Sequence, residues 1–184
     1  MVMFRLKDMF KTLLNQKGGV RLKSAESPKR KRDPISSDEF TDLKFVRIET
    51  TLGLSPVRDD VAGEFRIGVS KILLFNPTYS ENYRVTGFEL MREISNLGYK
   101  NVSADILDLC MENPHRWPEE WKGEAEIGDK QFPMIVYFFG SLYYEIATGR
   151  IFIRGGMYEG DMLVEDIACL NDVFDTNMEI AVAR

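Results

Sequence analysis

Hydrophobic and polar residues alternate in several stretches of the chain, and alternation with a period of two is typical of β-strands. The first stretches are residues 43–52 and 64–75, and Asn76-Pro77 ends the second of them. Four more predicted strands lie toward the C-terminus, over residues 134–147, 151–158, 162–170 and 178–182.

The strands on either side of Thr148-Gly149 are predicted to form a hairpin, because a two-residue turn of this type joins antiparallel neighbours. In the expected register Tyr144 lies opposite Ile153, which leaves one face of the hairpin apolar. Glu145 and Arg154 are then diagonal neighbours on the other face, close enough to form an ion pair.

Two helices are predicted between the early and late strands. The first begins at Thr86, because Thr86 and Glu89 have the Ser/Thr-x-x-Glu spacing of a capping box, and it ends at Gly98. Ser103 is expected to cap the second helix, which ends before Pro114 because proline cannot continue it.

The fold class that follows is α+β, with two helices packed on an antiparallel β-sheet. We predict that this domain covers residues 42–184 and that residues 1–41 form a basic N-terminal arm and linker. Residues 2–16 have the spacing of a short amphipathic helix. Residues 17–41 contain glycine, serine, proline and charge with almost no large apolar side chain, as is typical of a linker.

Charge divides the chain between the arm and the body. Residues 1–32 contain ten basic and two acidic residues, a net charge of +8, whereas the whole chain carries −5. The other 152 residues therefore carry −13. The arm is expected to contact polyanions, to fold back on the acidic body, or to remain a solvated tail.

The most basic part of the arm is a run of four residues that follows Pro28. This run resembles a nuclear import signal, although such short patterns are frequent, and in a bacterial protein it would act as a tether that seeks polyanions. An accessory nucleic-acid-binding protein is therefore an alternative function, and its contacts would be Lys29, Arg30, Lys31 and Arg32.

Composition excludes several classes of protein. Hydrophobic residues make up 44% of the chain and charged residues 29%, a balance that excludes wholesale disorder. No apolar run approaches the roughly 20 residues that span a bilayer. The chain also lacks an uninterrupted secretory core, so we predict a cytoplasmic protein with no membrane span. Two cysteines exclude a disulfide-dense scaffold.

Few residues have the context that catalysis needs. His115 is the one histidine, and as a general base it would need an orienting carboxylate, for which Glu119 and Glu120 are the candidates. Cys110 and Cys169 have no cationic neighbour in the sequence and are expected in the core. There is no phosphate-binding loop, dinucleotide motif or zinc-protease motif, so we predict no catalytic residues and no cofactor, and an enzyme is the weaker hypothesis.

Asp105, Asp108 and Glu112 share one face of the second predicted helix. Carboxylates in this arrangement are able to bind a divalent cation. A solvated outer face is the interpretation that we prefer, and no metal site is predicted.

The segment Trp117-Pro118-Glu119-Glu120-Trp121 is the most distinctive short pattern in the chain. Tryptophan dominates the residues that contribute most to protein interfaces, so Trp117, Glu119, Glu120 and Trp121 are candidate partner-binding residues. The other interpretation is that both rings fill the junction between the helices and the sheet.

Residues 87–158 resemble a group of small uncharacterised bacterial proteins that are often associated with mobile elements. The shared pattern is a helix, a segment like Pro118-Glu119-Glu120-Trp121, and an aromatic-Gly-Ser/Thr hairpin like Phe139-Gly140-Ser141-Leu142-Tyr143. This chain departs from the pattern in residues 124–130, which are inserted, and after Tyr158, where tryptophan-rich strands are expected. The resemblance implies an architecture and a genomic setting but no active site.

These observations favour a non-catalytic protein-interaction module, encoded by a phage or another mobile element. Its acidic body would bind a protein partner, and a basic nucleic-acid-binding protein is one candidate. The nucleic-acid-binding alternative uses the basic arm directly. The enzyme hypothesis rests on His115 with Glu119 or Glu120.

Overall fold

The computed structural model is an α+β fold with two helices and a mixed, mostly antiparallel sheet. It describes residues 45–49, 57–59, 64–67, 70–77, 85–127, 129–174 and 177–184. The predicted arm, the basic run at residues 29–32 and the boundary at residue 42 lie outside the described residues. Among those residues, no helix has the length and apolar character needed to cross a membrane.

Two α-helices and two short 3-10 helices are present. Helix α1 is Gly87–Asn96 and helix α2 is Asp105–Glu112, followed by 3-10 helices at Pro114–Arg116 and Glu119–Trp121. The strands are β1 (Phe45–Glu49), β2 (Val57–Asp59), β3 (Glu64–Ile67), β4 (Ser70–Phe75), β5 (Val85–Thr86), β6 (Lys100–Asn101), β7 (Glu124–Ile127), β8 (Lys130–Pro133), β9 (Ile135–Glu145), β10 (Ile151–Glu159), β11 (Met162–Cys169), β12 (Val173–Phe174) and β13 (Met178–Ala183).

The main sheet has the strand order β11-β10-β9-β13-β4-β3-β2, with β1 also paired to β9 and β6 to β13. Two short ladders, β5 with β12 and β7 with β8, lie outside it. All pairs are antiparallel except β13 with β9, which are parallel. The prediction of an antiparallel sheet is therefore wrong at this one pair. Strands β9 and β4 run in opposite directions, so β13, which lies between them, is necessarily parallel to one of the two.

Helix α1 begins and ends where its sequence predicts. The Thr86 hydroxyl accepts a hydrogen bond from the Glu89 backbone N–H at 3.4 Å, and the Glu89 carboxylate accepts one from the Thr86 N–H at 2.9 Å. Gly98 follows the helix with φ at +79°, a conformation that glycine adopts without strain, and its N–H donates to the Ser95 carbonyl at 3.1 Å. The predicted capping box and stop are both confirmed.

Helix α2 ends before Pro114 as predicted, but its start is built differently. The N-cap residue is Ala104, one residue after Ser103. The Ser103 hydroxyl accepts from the Asp105 N–H at 3.3 Å, and the Ser141 hydroxyl accepts from the Ala104 N–H at 3.0 Å. A serine from β9 therefore supplies part of the cap, which ties the helix to the sheet.

The β9–β10 hairpin forms, but its predicted register is wrong. Tyr144 lies opposite Ile151 rather than Ile153. The connection is longer than two residues, since the Glu145 N–H donates to the Arg150 carbonyl at 2.9 Å and the Gly149 N–H donates to the Glu145 carbonyl at 2.8 Å. Glu145 therefore does not pair with Arg154 and instead accepts a hydrogen bond from Thr148.

A bulge in β9 explains why the register could not follow simple alternation. The pairing of β10 with β9 shifts by three residues between Phe152 and Arg154, so residues 139–142 face a single position of β10. Within the bulge the Gly140 N–H donates to the Val102 carbonyl at 2.7 Å. This close approach joins β9 to the segment that enters α2.

The sheet buries side chains on both faces. One face packs against α2 and both tryptophans, and the other holds Tyr137 and Phe139 against Phe174, beside the start of α1 at Gly87. The buried residues on the α2 side are Phe65, Ile72, Val102, Ala104, Ile106, Leu107, Cys110, Trp117, Trp121, Val136, Phe138, Leu163, Ala181 and Ala183.

Candidate functional site

The two tryptophans of the segment that the sequence singled out lie in the core. Trp117 is 1% exposed and Trp121 is 2% exposed, and their rings meet edge to face with centroids 5.3 Å apart. The Trp117 indole N–H donates to the Trp121 carbonyl at 3.2 Å, so its polar atom is satisfied. The interpretation of the rings as exposed anchors is therefore wrong, and the alternative, a plug between helix and sheet, is the one observed.

The two glutamates between the tryptophans are on the surface. Glu119 forms an ion pair with Lys122 at 2.6 Å, and the Lys122 ammonium lies 4.6 Å from the centre of the Tyr158 ring. Glu120 is exposed on the same 3-10 helix. A partner-binding role for Glu119 and Glu120 stays a prediction.

The other candidates for chemistry are scattered. His115 is exposed on the first 3-10 helix, and Cys110 and Cys169 are buried free thiols. Within the described ranges, no group of three or more histidine, cysteine, aspartate or glutamate side chains is placed to hold a metal ion.

A network of charged and hydroxyl groups joins β1, β9 and the start of α2. The Arg47 guanidinium donates to the Ser103 hydroxyl at 3.1 Å, to the Ser141 hydroxyl at 3.0 Å and to the Asp105 carboxylate at 2.5 Å. The two serine hydroxyls are 3.1 Å apart and both are buried. Arg47 therefore donates to two buried serine hydroxyls, and these hydroxyls also accept from the backbone N–H groups at the start of α2.

A second arginine continues this network into β10 and β11. Arg154 forms ion pairs with Asp108 at 2.7 Å and with Glu165, and it donates to the Tyr143 hydroxyl at 3.2 Å. Asp108 also lies 4.0 Å from Arg47, so it links the two arginines. We call Arg47, Arg154, Asp105, Asp108, Glu165, Tyr143, Ser103 and Ser141 the arginine network.

Electrostatics within the arginine network favour the charged forms of its ions. Burial raises the pKa of the Tyr143 hydroxyl, and the hydrogen bond from Arg154 only partly offsets this. Burial would lower the pKa of Arg154, but Tyr143 and Glu165 outweigh it and raise the value. Burial would also raise the pKa of Asp105, but hydrogen bonds from Arg47 and Ser103 together lower it.

The acidic face of α2 is open to solvent as expected, but two of its carboxylates are also ion-paired. The Asp105 and Asp108 side chains are 46% and 43% exposed and pair with the two arginines, and Glu112 is exposed. Three carboxylates surround two guanidinium groups, so the network has no excess positive charge with which to bind an anion. Its clearest role is to fasten α2 to three strands.

Arg154→Ala is expected to destabilise the fold because it leaves Glu165, 8% exposed, without its cation. Replacing both residues with alanine removes the unpaired charge, so the double variant should lose less stability than the single changes added together. Urea unfolding of the two single variants and the double variant measures this coupling, which we expect at about 1–3 kcal/mol. Additive effects would show that the pair is not coupled in the folded protein.

The described surface is acidic. Residues 85–184 contain 18 acidic and eight basic residues. Several of the basic side chains are already paired with carboxylates, as in Lys122 with Glu119, Arg150 with Asp172 at 3.6 Å, and Arg154 with Asp108. Ten acidic and five basic residues of this range are exposed, so the described surface carries an acidic excess.

Strand β11 forms one end of the main sheet. It pairs with β10 in a regular register over eight residue pairs, from Phe152 opposite Cys169 to Glu159 opposite Met162. Its charged residues are paired on the two faces of the sheet, Glu165 with Arg154 and Asp166 with the Tyr137 hydroxyl. No other strand of the described chain pairs with its outer edge.

Comparison of the chain with protein-family models, with curated proteins and with solved structures finds no match. The resemblance inferred from residues 87–158 therefore stays a prediction.

Sequence reasoning missed the arginine network and the β11 edge. Only Arg154 gives a local indication of the arginine network. It interrupts the otherwise uncharged run from Ile151 to Met157, which indicates a buried cation that needs partners. Arg47 carries no such signal. Its acceptors Ser103 and Ser141 lie 56 and 94 residues away in the sequence.

Proposed function

We propose that this protein is a non-catalytic interaction module that binds a basic protein partner through its acidic body. The observation that carries the proposal is the acidic excess of residues 85–184, where 18 acidic residues outnumber eight basic ones and three of the basic side chains are in ion pairs. A surface of one sign attracts a partner of the opposite sign and raises the rate of association.

The arrangement of the polar groups also supports a role without catalysis. Catalytic groups need a perturbed pKa together with access to a substrate. Tyr143 and Arg154, whose pKa values are raised, are largely buried and hydrogen-bonded to each other. His115 lies at the surface, where a substrate could reach it, but its candidate partner Glu119 is paired with Lys122.

The genomic setting belongs to the same proposal. A cytoplasmic product of a phage or another mobile element fits the pattern of helix, Pro-Glu-Glu-Trp segment and aromatic hairpin. Such a protein would bind a host protein whose surface is basic. The nucleic-acid alternative depends on residues 29–32, and the acidic body repels the phosphates that those residues would contact.

The function is tested by affinity capture with the full chain in lysate with and without nuclease treatment, followed by reconstitution with the purified captured protein. We expect saturable binding whose association rate falls with added salt. Replacing Glu119 and Glu120 with lysine should slow association by about tenfold at low salt. Glu93→Lys, a charge reversal on exposed α1, is the control and should have a smaller effect.

Two results would contradict the proposal in different ways. If all captured material disappears after nuclease treatment, nucleic acid is the ligand and the protein-binding function is wrong. If Glu93→Lys slows association as much as the reversal at Glu119 and Glu120, the partner binds but those two glutamates are not its contact.

A further inference from the structure

We infer that the outer edge of β11 is the docking surface, and that it takes a basic, extended segment of the partner as an additional strand of the sheet. This inference rests on the proposed function and names the surface and the conformation of the bound segment. Addition of a strand to a sheet edge is a general mode of peptide recognition, in which main-chain hydrogen bonds provide the affinity.

The hydrogen-bond pattern identifies the groups that the edge offers. The Leu170 N–H donates to the Ile151 carbonyl at 2.9 Å, which marks these two residues as a hydrogen-bonded pair. Pairs of this kind alternate along an antiparallel ladder, and the β10–β11 register is constant. The even-numbered residues of β11 therefore bond to β10. The outward N–H groups belong to Leu163, Glu165, Ile167 and Cys169. The outward C=O groups belong to Leu163, Glu165 and Ile167, since the Cys169 carbonyl accepts from the Asp172 N–H at 2.9 Å.

This edge lacks the features that commonly prevent strand addition. Proteins protect their sheet edges with short strands, prolines, lysines or bulges. Strand β11 has eight residues, contains no proline, lysine or arginine, and pairs with β10 without a bulge. By contrast β2, at the opposite end of the sheet, has three residues. The carboxylates of Glu165 and Asp166 already have partners, so they do not repel an incoming strand.

The acidic turn before β11 favours a basic occupant. Glu159 and Asp161 are exposed in this turn, where Gly160 has φ at +60°. At the other end of the strand Asp172 is already paired with Arg150 at 3.6 Å, so Asp172 does not add to this preference. A lysine or arginine at the end of an extended segment complements the turn, whereas a second copy of the chain has the same acidic excess, and like charges disfavour its approach.

The inference is tested with a displayed library of random 12-residue peptides selected on the full chain, from which the enriched peptide is synthesised as the probe. We expect enriched peptides with lysine or arginine, alternating β-branched residues and no internal proline. Bound peptide should slow amide hydrogen exchange at the outward positions Leu163, Glu165, Ile167 and Cys169.

Two variants and one control locate the binding surface. Ile167→Pro removes an outward N–H without breaking a bond to β10, so it should weaken peptide binding by about tenfold or more. Glu159→Lys changes only an exposed charge and should weaken binding by about threefold, while Glu93→Lys on α1 should leave it unchanged. If Ile167→Pro fails to fold, peptide binding to Glu159→Lys and the amide hydrogen exchange data still show whether the peptide binds at the β11 edge.

The possible results separate this inference from the proposed function. Peptides that bind Glu159→Lys as tightly as the unmodified chain, without slowing the four outward amides, overturn the β11 edge but leave protein binding standing. A dimer of the full chain that is lost in Ile167→Pro would assign the edge to a second copy and overturn the inference. Failure of any peptide or protein to bind would overturn both.

Discussion

Replacing Gly140 with alanine is expected to lower the free energy of unfolding by about 4 kcal/mol or more. Single substitutions seldom have so large an effect unless they disrupt a tightly constrained site. A Cβ atom at this position would lie 2.6 Å from the Ser103 backbone nitrogen and closer still to the Val102 carbonyl. The atoms that would have to move are backbone atoms, so a side-chain rotation cannot relieve the clash. The same change should also break the hydrogen bond from the Gly140 N–H to Val102.

Urea unfolding followed by circular dichroism measures the effect, and Gly123→Ala is the matched control. A Cβ atom at Gly123 would meet only the flexible end of Met134 at 3.5 Å, which is an ordinary contact. We expect the control to change stability by no more than about 0.5 kcal/mol. Equal stability of the two variants would contradict the bulge and the close approach of β9 to the segment before α2.

Trp117→Ala is expected to cost about 3–5 kcal/mol of stability, the usual range when a large aromatic side chain is removed from a core. The ring packs against Trp121 and Phe138, with the Trp117 and Phe138 centroids 6.4 Å apart. It also fills the space beside Gly156, where an added Cβ would lie 2.7 Å from the Trp117 ring. Its removal therefore leaves a cavity at the centre of the α2 side of the sheet.

The unfolding midpoint of Trp117→Ala in urea is the measurement, with Ile146→Ala as the control. Ile146 is 61% exposed near the β9–β10 turn, so its truncation should have little effect. An exposed tryptophan anchor would show the opposite behaviour to our expectation, namely unchanged stability with reduced binding of a partner. That result would contradict the burial of Trp117.

The parts of the fold that the sequence predicts correctly depend on residues that are close together in the chain. The capping box joins Thr86 to Glu89, and the stop at Gly98 depends on a single backbone conformation. Each is a chemical requirement that a few neighbouring residues satisfy. The α+β class follows from the same local patterns, since two helical stretches lie among strands that alternate.

The register of the β9–β10 hairpin depends on information that the pattern does not contain. Residues 135–143 are buried on both faces, so the apolar pattern does not specify which side chains face α2. The bulge at residues 139–142 is fixed by contact with Val102 and Ser103, from a different part of the chain. The insertion of β13 between β9 and β4 has no local signature for the same reason.

The candidate site illustrates the difference between residue identity and residue environment. The sequence drew attention to Trp117, Trp121 and the carboxylates of α2 because tryptophans and carboxylates are common in functional sites. The structure buries both rings and pairs Asp105 and Asp108 with Arg47 and Arg154. These pairings join residues far apart in the sequence, so local pattern alone does not reveal them.

The position of β13 between β9 and β4 also determines when the sheet is able to form during synthesis. Strand β4 ends at residue 75 and its neighbour β13 begins at residue 178, so the two ladders that β13 forms, with β4 and with β9, require residues 178–183 to have left the ribosome. Contacts between residues this distant in sequence slow folding. Until β13 arrives, β9 and β4 each lack a neighbouring strand, and the nascent chain needs protection from aggregation at these edges.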